Sequence, residues 1–189
     1  MTDDLGAFDE LEEAPDGHDP VGRLESAASP VPRVSGSPLV GVLVGSASDL
    51  PIMQQATAIL ERFGIPHEIR VISAHRNPDV VDEFARTAEE RGMVCVICGA
   101  GLANHLAGAV AARTALPVIG VPLSGGTLGG MDALYSTVQM PRGVPVATMA
   151  IDGAVNAAIL AAQILAVRDP AVRAKIYGFK DSLAEGFRP

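Results

Sequence analysis

Short apolar runs alternate with longer segments of helical period from Pro38 onward. Runs of this length between turn residues are typical of strands, and almost wholly apolar runs are typical of strands covered on both faces of a parallel sheet. The second run is more polar than the other four, so we expect it to lie nearer an edge of the sheet. The predicted strands span 39–45, 67–73, 94–98, 117–123 and 144–151.

The segments between these runs carry the start and stop signals of helices. Pro51 and Pro78 lie at first-turn positions, and Gly64 and Gly92 follow charged helix ends. Strands that alternate with helices, without a repeat of fixed period, predict an α/β fold. We expect one domain over 38–168. It should be a three-layer αβα sandwich around a parallel sheet of about five strands, of flavodoxin-like or Rossmann-like type.

Two further helices are predicted in the C-terminal part of the chain. The segment 153–167 presents alanines at helical spacing, which is a small-residue face suited to close helix packing within or between subunits. Residues 169–189 are expected to form a helical extension, and its amphipathic pattern suits packing on a neighbouring subunit.

Composition and charge narrow the class of protein. The 189 residues are 48% apolar with only 4% aromatic residues, which suits a core of small aliphatic side chains. The net charge of −8 argues against nucleic acid or an acidic membrane surface as a partner, because phosphate groups favour clustered Lys and Arg. No stretch has the uninterrupted apolar length of a membrane span or the pattern of a secretory signal, so we expect a cytoplasmic protein.

Most of the charge lies in residues 1–37, which hold nine acidic side chains against Arg23 and Arg33. Acids mixed with Pro, Gly and Ser, without a sustained period, cannot bury enough apolar surface to offset the entropy of ordering. We therefore predict a disordered acidic tail over 1–37, followed by a nearly neutral globular part.

Cys95 and Cys98 form a CxxC spacing that is similar to redox and zinc motifs. The surrounding segment "MVCVICGAG" is predicted to be a buried strand, and side chains three positions apart on a strand point to opposite faces. No second cysteine pair is present to complete a zinc site. We therefore interpret both cysteines as small core residues and expect no metal.

The turns at the carboxyl ends of the predicted strands carry the candidate chemistry, because ligands of open α/β sheets bind there. The first strand is followed by "GSASDLP", in which Ser46, Ser48 and Asp49 lie at a helix start. Free N–H groups at such a start favour a phosphate or another anion. Ser48 or Asp49 would equally well serve as a simple helix cap, so both roles stay open for this motif. It is neither a Walker loop nor a dinucleotide fingerprint.

The second strand is followed by "SAHRNP", which places Ser73, His75 and Arg76 in the turn before the next helix. Histidine exchanges a proton near neutral pH, and arginine holds phosphate oxygens through two parallel hydrogen bonds. A solvated turn without function would contain the same residue types, but reactive groups of α/β proteins concentrate in loops at this edge. We predict that these three residues face a ligand.

Two glycine-rich turns complete the predicted edge. In "GAGLANHLAG" after the third strand, Gly99 and Gly101 allow close backbone approach, and His105 lies in the first turns of the next helix. His105 taken alone would more simply be a packing residue. The segment "SGGTLGGMDALYSTVQMPRG" after the fourth strand is predicted to be a mobile or closely approaching loop. Together the turns indicate a phosphate-bearing small molecule rather than a protein partner.

The motifs GSASD, SAHRNP, GAGLANHLAG and DALYSTVQMPRGVPVATMAI, in this order and spacing, resemble the N5-carboxyaminoimidazole ribonucleotide mutases of purine biosynthesis, over about 39–165. The resemblance implies a flavodoxin-like subunit of a homo-octamer that uses neither a metal nor an organic cofactor. It implies an isomerase that moves a carboxylate from N5 to C4 of an aminoimidazole ribonucleotide by way of carbon dioxide. The residues that it assigns are His75 as the acid and base, Ser46, Asp49 and Arg76 at the ribose-phosphate end of the substrate, and Ser73, Gly101 and His105 near the migrating carboxylate.

The implied reaction explains why a histidine is present in the SAHRNP turn. Protonation of the carbamate nitrogen releases carbon dioxide and leaves an aminoimidazole whose C4 is a nucleophile. One proton must be given at nitrogen and one removed from C4, and a single imidazole can do both in turn. Carbon dioxide must be held meanwhile in a small closed pocket, which a glycine-rich loop provides.

The chain departs from this resemblance in one loop, where the mutases usually have GAGGAAHLPG. Leu102 replaces Gly, Asn104 replaces Ala and Ala107 replaces Pro. Related aminoimidazole ribonucleotide carboxylases, which take free carbon dioxide, carry an asparagine in a similar loop, so that activity is the alternative. His105 and "YSTVQMP" favour the mutases, although one pocket residue can shift such a preference.

A third hypothesis is a non-catalytic sensor of nucleotide phosphates on the same fold, which would also use GSASD and Arg76. A sensor has no need of an acid–base residue, so this hypothesis does not explain the presence of His75. Replacement of His75 separates the two classes, because a sensor would keep its ligand affinity and its output, whereas an enzyme would keep binding and lose turnover.

Overall fold

The structure is a computed structural model that describes residues 39–189, and the predicted acidic tail lies outside the described residues. Strands and helices alternate through the described part of the chain. The strands are β1 (Val40–Val44), β2 (His67–Val71), β3 (Cys95–Ala100), β4 (Val118–Pro122) and β5 (Ala147–Thr148). The helices are α1 (Leu50–Arg62), α2 (Pro78–Thr87), α3 (His105–Ala111), α4 (Met131–Val138), α5 (Ala154–Ala166) and α6 (Pro170–Ala184), and a 3-10 turn (Ala47–Asp49) precedes α1.

The described strands form one parallel sheet with the order β2-β1-β3-β4-β5. This is the flavodoxin-like order of doubly wound folds, and it confirms the predicted fold class. β1, β3 and β4 are buried along their whole length, whereas β2 lies at an edge and is largely exposed, as its polar sequence predicted. Because the described strands are parallel, their carboxyl ends lie at one edge of the sheet, where the turns that follow them can meet.

Two layers of apolar side chains cover the faces of the sheet. One layer packs α1, α5 and α6 against the sheet, and the other packs α2 and α3 against the opposite face. Cys95 belongs to the first layer and Cys98 to the second, and both are free thiols, which confirms that they are core residues on opposite faces. Burial raises the pKa of Cys95 to about 12 and raises that of Cys98 as well, so neither thiol supplies a thiolate near neutral pH.

The alanine face of α5 is fully buried against the helix α1, as its spacing predicted. The following helix α6 begins at a cap formed by Asp169, whose carboxylate accepts hydrogen bonds from the N–H groups of Ala171 and Val172 at 2.9 and 3.2 Å. Val172, Ile176 and Phe179 of α6 are buried in the same layer as α1 and α5. The apolar stripe that we expected to lie on a neighbouring subunit is thus used within the chain itself.

The segment after β4 differs from its prediction as a loop. Its middle part is the helix α4, which begins after Gly130 at a φ of 90° and has Asp132 in its first turn. Ala133 and Thr137 anchor this helix on the sheet because both are buried. The predicted strand 144–151 is also shorter than expected, since only Ala147–Thr148 pairs with β4.

Gly99 has a packing role that differs from the close ligand approach expected for it. It lies within β3, and a Cβ atom at this position would run into the side chain of Met53 from α1. The missing side chain therefore makes room for a core methionine rather than for a ligand.

Among the described residues, no helix combines the length and the apolar character that a membrane crossing requires.

Candidate active site

A cavity of about 630 Å³ lies at the carboxyl edge of the sheet. The turns after β1, β2, β3 and β4 all contribute to its wall, which is where the sequence placed the candidate chemistry. Six of the seven predicted site residues line it, namely Ser46, Asp49, Ser73, His75, Arg76 and Gly101, together with Gly45, Ser48, Ala74, Ala100, Leu102, Ala103, Leu106, Gly125 and Gly126.

The turn after β1 is capped by Ser46 and leaves the Asp49 carboxylate uncommitted to the helix. The Ser46 hydroxyl accepts from the Ser48 hydroxyl at 2.9 Å and from the Ser48 N–H at 3.4 Å, which closes the 3-10 turn. Asp49 precedes α1 but makes no side-chain capping bond to it. The alternative role of Ser48 or Asp49 as a simple helix cap is therefore wrong, and Asp49 is available to a ligand in the cavity.

The electrostatics of this turn are set by the partial burial of Asp49. Burial raises the pKa of Asp49 above its ordinary value of 3.8, while the Gly101 backbone and the Ser48 hydroxyl lower it by hydrogen bonding to the carboxylate.

The raised pKa of Asp49 predicts a pH-dependent contribution to stability. The folded state binds the proton more tightly than the unfolded state, so the contribution is full below pH 3.8 and is lost as the pH rises through the raised value. In Asp49→Asn this loss should be absent, and the free energy of unfolding should fall less with pH across that window. Urea unfolding at a series of pH values measures the slope. An identical slope in the two proteins would contradict the prediction.

The turn after β2 projects Ser73, His75 and Arg76 into the cavity. The Ser73 carbonyl accepts from the Asn77 N–H at 2.8 Å, which closes the turn before α2. The Arg76 guanidinium donates through Nη2 to the carbonyl oxygen of Gly45 at 3.1 Å. Arg76 thus ties the turns after β1 and β2 together while its remaining N–H groups stay free to hold an anion.

His105 does not line the cavity, but its side chain contacts His75, which does. Nε2 of His75 lies 2.8 Å from Nδ1 of His105, with the two rings inclined at 75°. His105 is exposed at the start of α3, so the alternative of a buried packing histidine is wrong. The two imidazoles come from turns that are 30 residues apart in sequence.

The turns after β3 and β4 meet in the wall of the cavity. Leu102 adopts a φ of 55° and leaves 60% of its surface exposed. Gly126 faces it at a φ of 92°, and a Cβ atom on Gly126 would run into Cδ2 of Leu102. A glycine is therefore needed at 126 both for the left-handed backbone and for this contact.

Asn104, which relates this loop to the carboxylases, lies outside the cavity wall. Its side chain is fully buried and donates through Nδ2 to the carbonyl oxygen of Val121 at 3.2 Å. Ala107, another departure in this segment, lies in α3 and is buried in the core. Of the three departures only Leu102 lines the cavity, so Asn104 does not select the substrate by direct contact.

Several parts of the site were missed by sequence reasoning. Ala74, Ala100, Ala103 and Leu106 line the cavity, but small apolar residues carry no chemical signal that distinguishes a cavity from a core. Asp152 was also missed. Its carboxylate accepts from the Ser124 N–H at 2.9 Å, and it thereby holds the turn after β4.

Within residues 39–189, no group of three or more His, Cys, Asp or Glu side chains is placed to hold a metal ion.

A family model described as AIR carboxylase matches residues 39–186, which covers every turn of the cavity. The chain belongs to the AIR carboxylase family. The N5-carboxyaminoimidazole ribonucleotide mutase of Thermotoga maritima is 56% identical over 146 residues, which make up 77% of this chain and 85% of that protein. The mutase of Pyrococcus horikoshii is 55% identical over 142 residues, which are 75% of this chain and 80% of that protein.

Two further matches extend the comparison. The phosphoribosylaminoimidazole carboxylase of Schizosaccharomyces pombe is 54% identical over 149 residues, which are 79% of this chain but only 27% of that protein. The crystal structure of Treponema denticola PurE matches the fold with a TM-score of 0.71 at 31% identity, over 78% of this chain and 92% of that chain. The family resemblance noted from the motifs is thus confirmed.

Proposed function

We propose that this protein converts N5-carboxyaminoimidazole ribonucleotide to 4-carboxy-5-aminoimidazole ribonucleotide, as an isomerase of purine biosynthesis. The observation that carries the proposal is the convergence of His75, Arg76 and Asp49 on one cavity in a member of the AIR carboxylase family. Relatives named for this mutase activity share 51 to 56% of their aligned residues with the chain.

Arg76 and the turn after β1 bind the ribose-phosphate end of the substrate in this proposal. Arg76 supplies the only guanidinium among the described cavity-lining residues, and a guanidinium pairs with phosphate oxygens through two hydrogen bonds. Ser46 and Asp49 present a hydroxyl and a carboxylate to the ribose at the same end. This remote binding energy holds the aminoimidazole ring in register with His75.

His75 carries the proton through both halves of the reaction. Protonated His75 donates to the carbamate nitrogen N5, the bond between N5 and the carboxyl carbon breaks, and carbon dioxide forms beside the free amine. C4 then attacks carbon dioxide, which makes the new carbon–carbon bond. Neutral His75 removes the proton from C4 and returns to its starting state, so the reaction is balanced without a further reactant.

The walls of the cavity suit the retention of carbon dioxide between these steps. Ser73, Gly101 and the alanines at positions 74, 100 and 103 line the same cavity as His75. An apolar enclosure offers carbon dioxide no competing nucleophile and keeps it within reach of C4. Leu102 and Gly126 lie close together in the wall of this cavity.

The assembly and the location of the protein are part of the same proposal. Exposed apolar side chains form a stripe along α4 and the segment that leads into it. They are Leu128, Met131, Tyr135 and Val138. Such a stripe supports association with further copies of the chain, and we propose a homo-octamer. We also propose that the enzyme works in the cytoplasm on a small-molecule ribonucleotide, without a metal or an organic cofactor.

A direct comparison of two substrates tests the proposed function. Pure protein receives either the N5-carbamate ribonucleotide or the free aminoimidazole ribonucleotide with saturating bicarbonate, and the C4-carboxylated product is followed. Turnover of the carbamate alone is expected. Turnover that prefers free carbon dioxide would assign the protein to the carboxylases, the second candidate, which the name of the Schizosaccharomyces pombe relative favours. Absence of turnover with both would favour the sensor.

A further inference from the structure

Asn104 fastens the turn after β3 to two other elements of the fold. Its side chain is 0% exposed, although Ala103 and His105 on either side of it are exposed. Nδ2 of Asn104 donates to the carbonyl oxygen of Val121 in β4 at 3.2 Å, and its backbone N–H donates to the hydroxyl of Ser136 in α4 at 2.9 Å. One residue thus ties the turn after β3 to both β4 and α4.

Ser136 is itself fixed on its helix. Its hydroxyl, which accepts from Asn104, lies within donating distance of the carbonyl oxygens of Asp132 at 2.8 Å and Ala133 at 3.0 Å. Because the Ser136 hydroxyl donates its proton to a carbonyl of α4, its oxygen lone pairs can point toward the Asn104 N–H. The hydrogen bonds of Asn104 to Ser136 and to Val121 are called the tether below.

The tether acts on the residue that follows it, His105. The helix α3 begins at His105, and the Asn104 side chain makes no capping bond to it, although asparagine is a common capping residue. The side chain is engaged with β4 instead. The position of the His105 imidazole, 2.8 Å from His75, therefore follows from where Asn104 is fixed.

The buried carbonyl oxygen of Asn104 argues that this residue is not present for stability alone. Oδ1 is buried without a hydrogen-bond partner among the described residues. An unsatisfied buried acceptor destabilises the folded state, and an apolar residue at this position would not carry that cost.

We propose that Asn104, together with Ser136, is a positioning residue that sets His105 against His75 and thereby holds the acid–base imidazole in register with the substrate. The inference rests on the proposed function in its kinetic part only. The Asn104 side chain does not line the cavity in which substrate would bind, so its effect falls on turnover rather than on substrate affinity.

Kinetics of Asn104→Ala give the first test. We expect kcat to fall about 10- to 100-fold, as small misplacements of catalytic groups do, with KM changed less than about twofold. Ser136→Ala should show a smaller loss in kcat because the Val121 tether remains, and Ser136→Thr should restore the lost activity because it keeps the hydroxyl. Asn156→Ala is the matched control, since Asn156 is exposed on α5, and it should keep the wild-type kcat.

A double-mutant cycle with His105→Asn separates positioning from a general structural role. If Asn104 acts through His105, Asn104→Ala adds no further loss of kcat in the His105→Asn background. Equal losses in both backgrounds would overturn the inference.

Nitrogen NMR of the imidazoles tests the positioning without enzyme activity. Nε2 of His75 and Nδ1 of His105 are assigned with His75→Asn and His105→Asn, and their ¹⁵N shifts are compared between wild type and Asn104→Ala. Both resonances should move, while those of His67, which contacts the Ile65 carbonyl at 2.9 Å, should stay in place. Unmoved His75 and His105 resonances would overturn the inference whether or not the wild-type protein turns over the carbamate. Failure of the wild-type turnover would overturn only the proposed function.

Discussion

Replacement of His75 with asparagine is expected to lower kcat for the carboxylate shift by about 10²- to 10⁴-fold, the range that general acid–base groups contribute. Asparagine keeps a polar group near His105, but it can neither protonate N5 nor accept the proton from C4. Affinity for the ribonucleotide should change by less than about threefold, because Arg76 and Asp49 still bind the other end of the substrate. Steady-state kinetics and calorimetric binding measure the two quantities.

The matched control for this variant is His67→Asn. His67 lies at the start of β2, away from the turns that form the cavity, and its Nδ1 is 2.9 Å from the Ile65 carbonyl oxygen. This control should keep kcat within about twofold of the wild-type value. Equal losses of kcat in the two variants, or wild-type turnover in His75→Asn, would remove His75 from its proposed role and favour the sensor.

Replacement of Arg76 with alanine is expected to raise KM for the ribonucleotide about 10- to 100-fold, because a hydrogen bond to a charged group contributes about 1.5–3 kcal/mol. A smaller loss in kcat should accompany it, since Arg76 also ties its turn to the carbonyl of Gly45. The KM of Arg76→Lys should lie between those of the wild type and Arg76→Ala, because lysine keeps the positive charge but cannot form two parallel hydrogen bonds to phosphate. Initial rates over a range of substrate concentrations separate the effects on KM and kcat.

Arg86→Ala is the control for the loss of a cation from the same region of the chain. Arg86 lies on α2 and pairs with Asp82 at 2.8 Å on the exposed side of that helix. Its removal should leave KM unchanged, since exposed ion pairs contribute little and this one lies outside the cavity wall. A KM that is unaffected in Arg76→Ala would show that the phosphate binds elsewhere.

The layers of the fold could be predicted from the sequence, because strands that are buried on both faces of a sheet are almost wholly apolar. β1, β3 and β4 are almost wholly apolar, and the polar sequence of β2 indicated its edge position. Cys95 and Cys98 fell on opposite faces because the strand period fixes their directions. The helix α4 was missed because it is short and follows a run of glycines that suggested a loop.

The site was predictable to the extent that strand ends share one edge of the sheet. That rule brought Ser46, Ser73, His75 and Gly101 to one cavity without any knowledge of their contacts. It did not give the contact between His75 and His105, because a pair 30 residues apart meets only once two turns have folded. Nor does a sequence indicate which way a loop side chain points. Asn104 faces the core, whereas Leu102 lines the cavity two positions before it.

The fate of the carbamate carbon tests the proposed carboxylate shift most directly. The N5-carbamate ribonucleotide, labelled with ¹³C at the carboxyl carbon, is converted by pure protein in buffer that contains unlabelled bicarbonate. If carbon dioxide stays in the cavity between its release from N5 and its capture by C4, the label is retained in the C4 carboxylate of the product. Product that carries the buffer's carbon instead would contradict an enclosed transfer and would identify the protein as a carboxylase of free carbon dioxide.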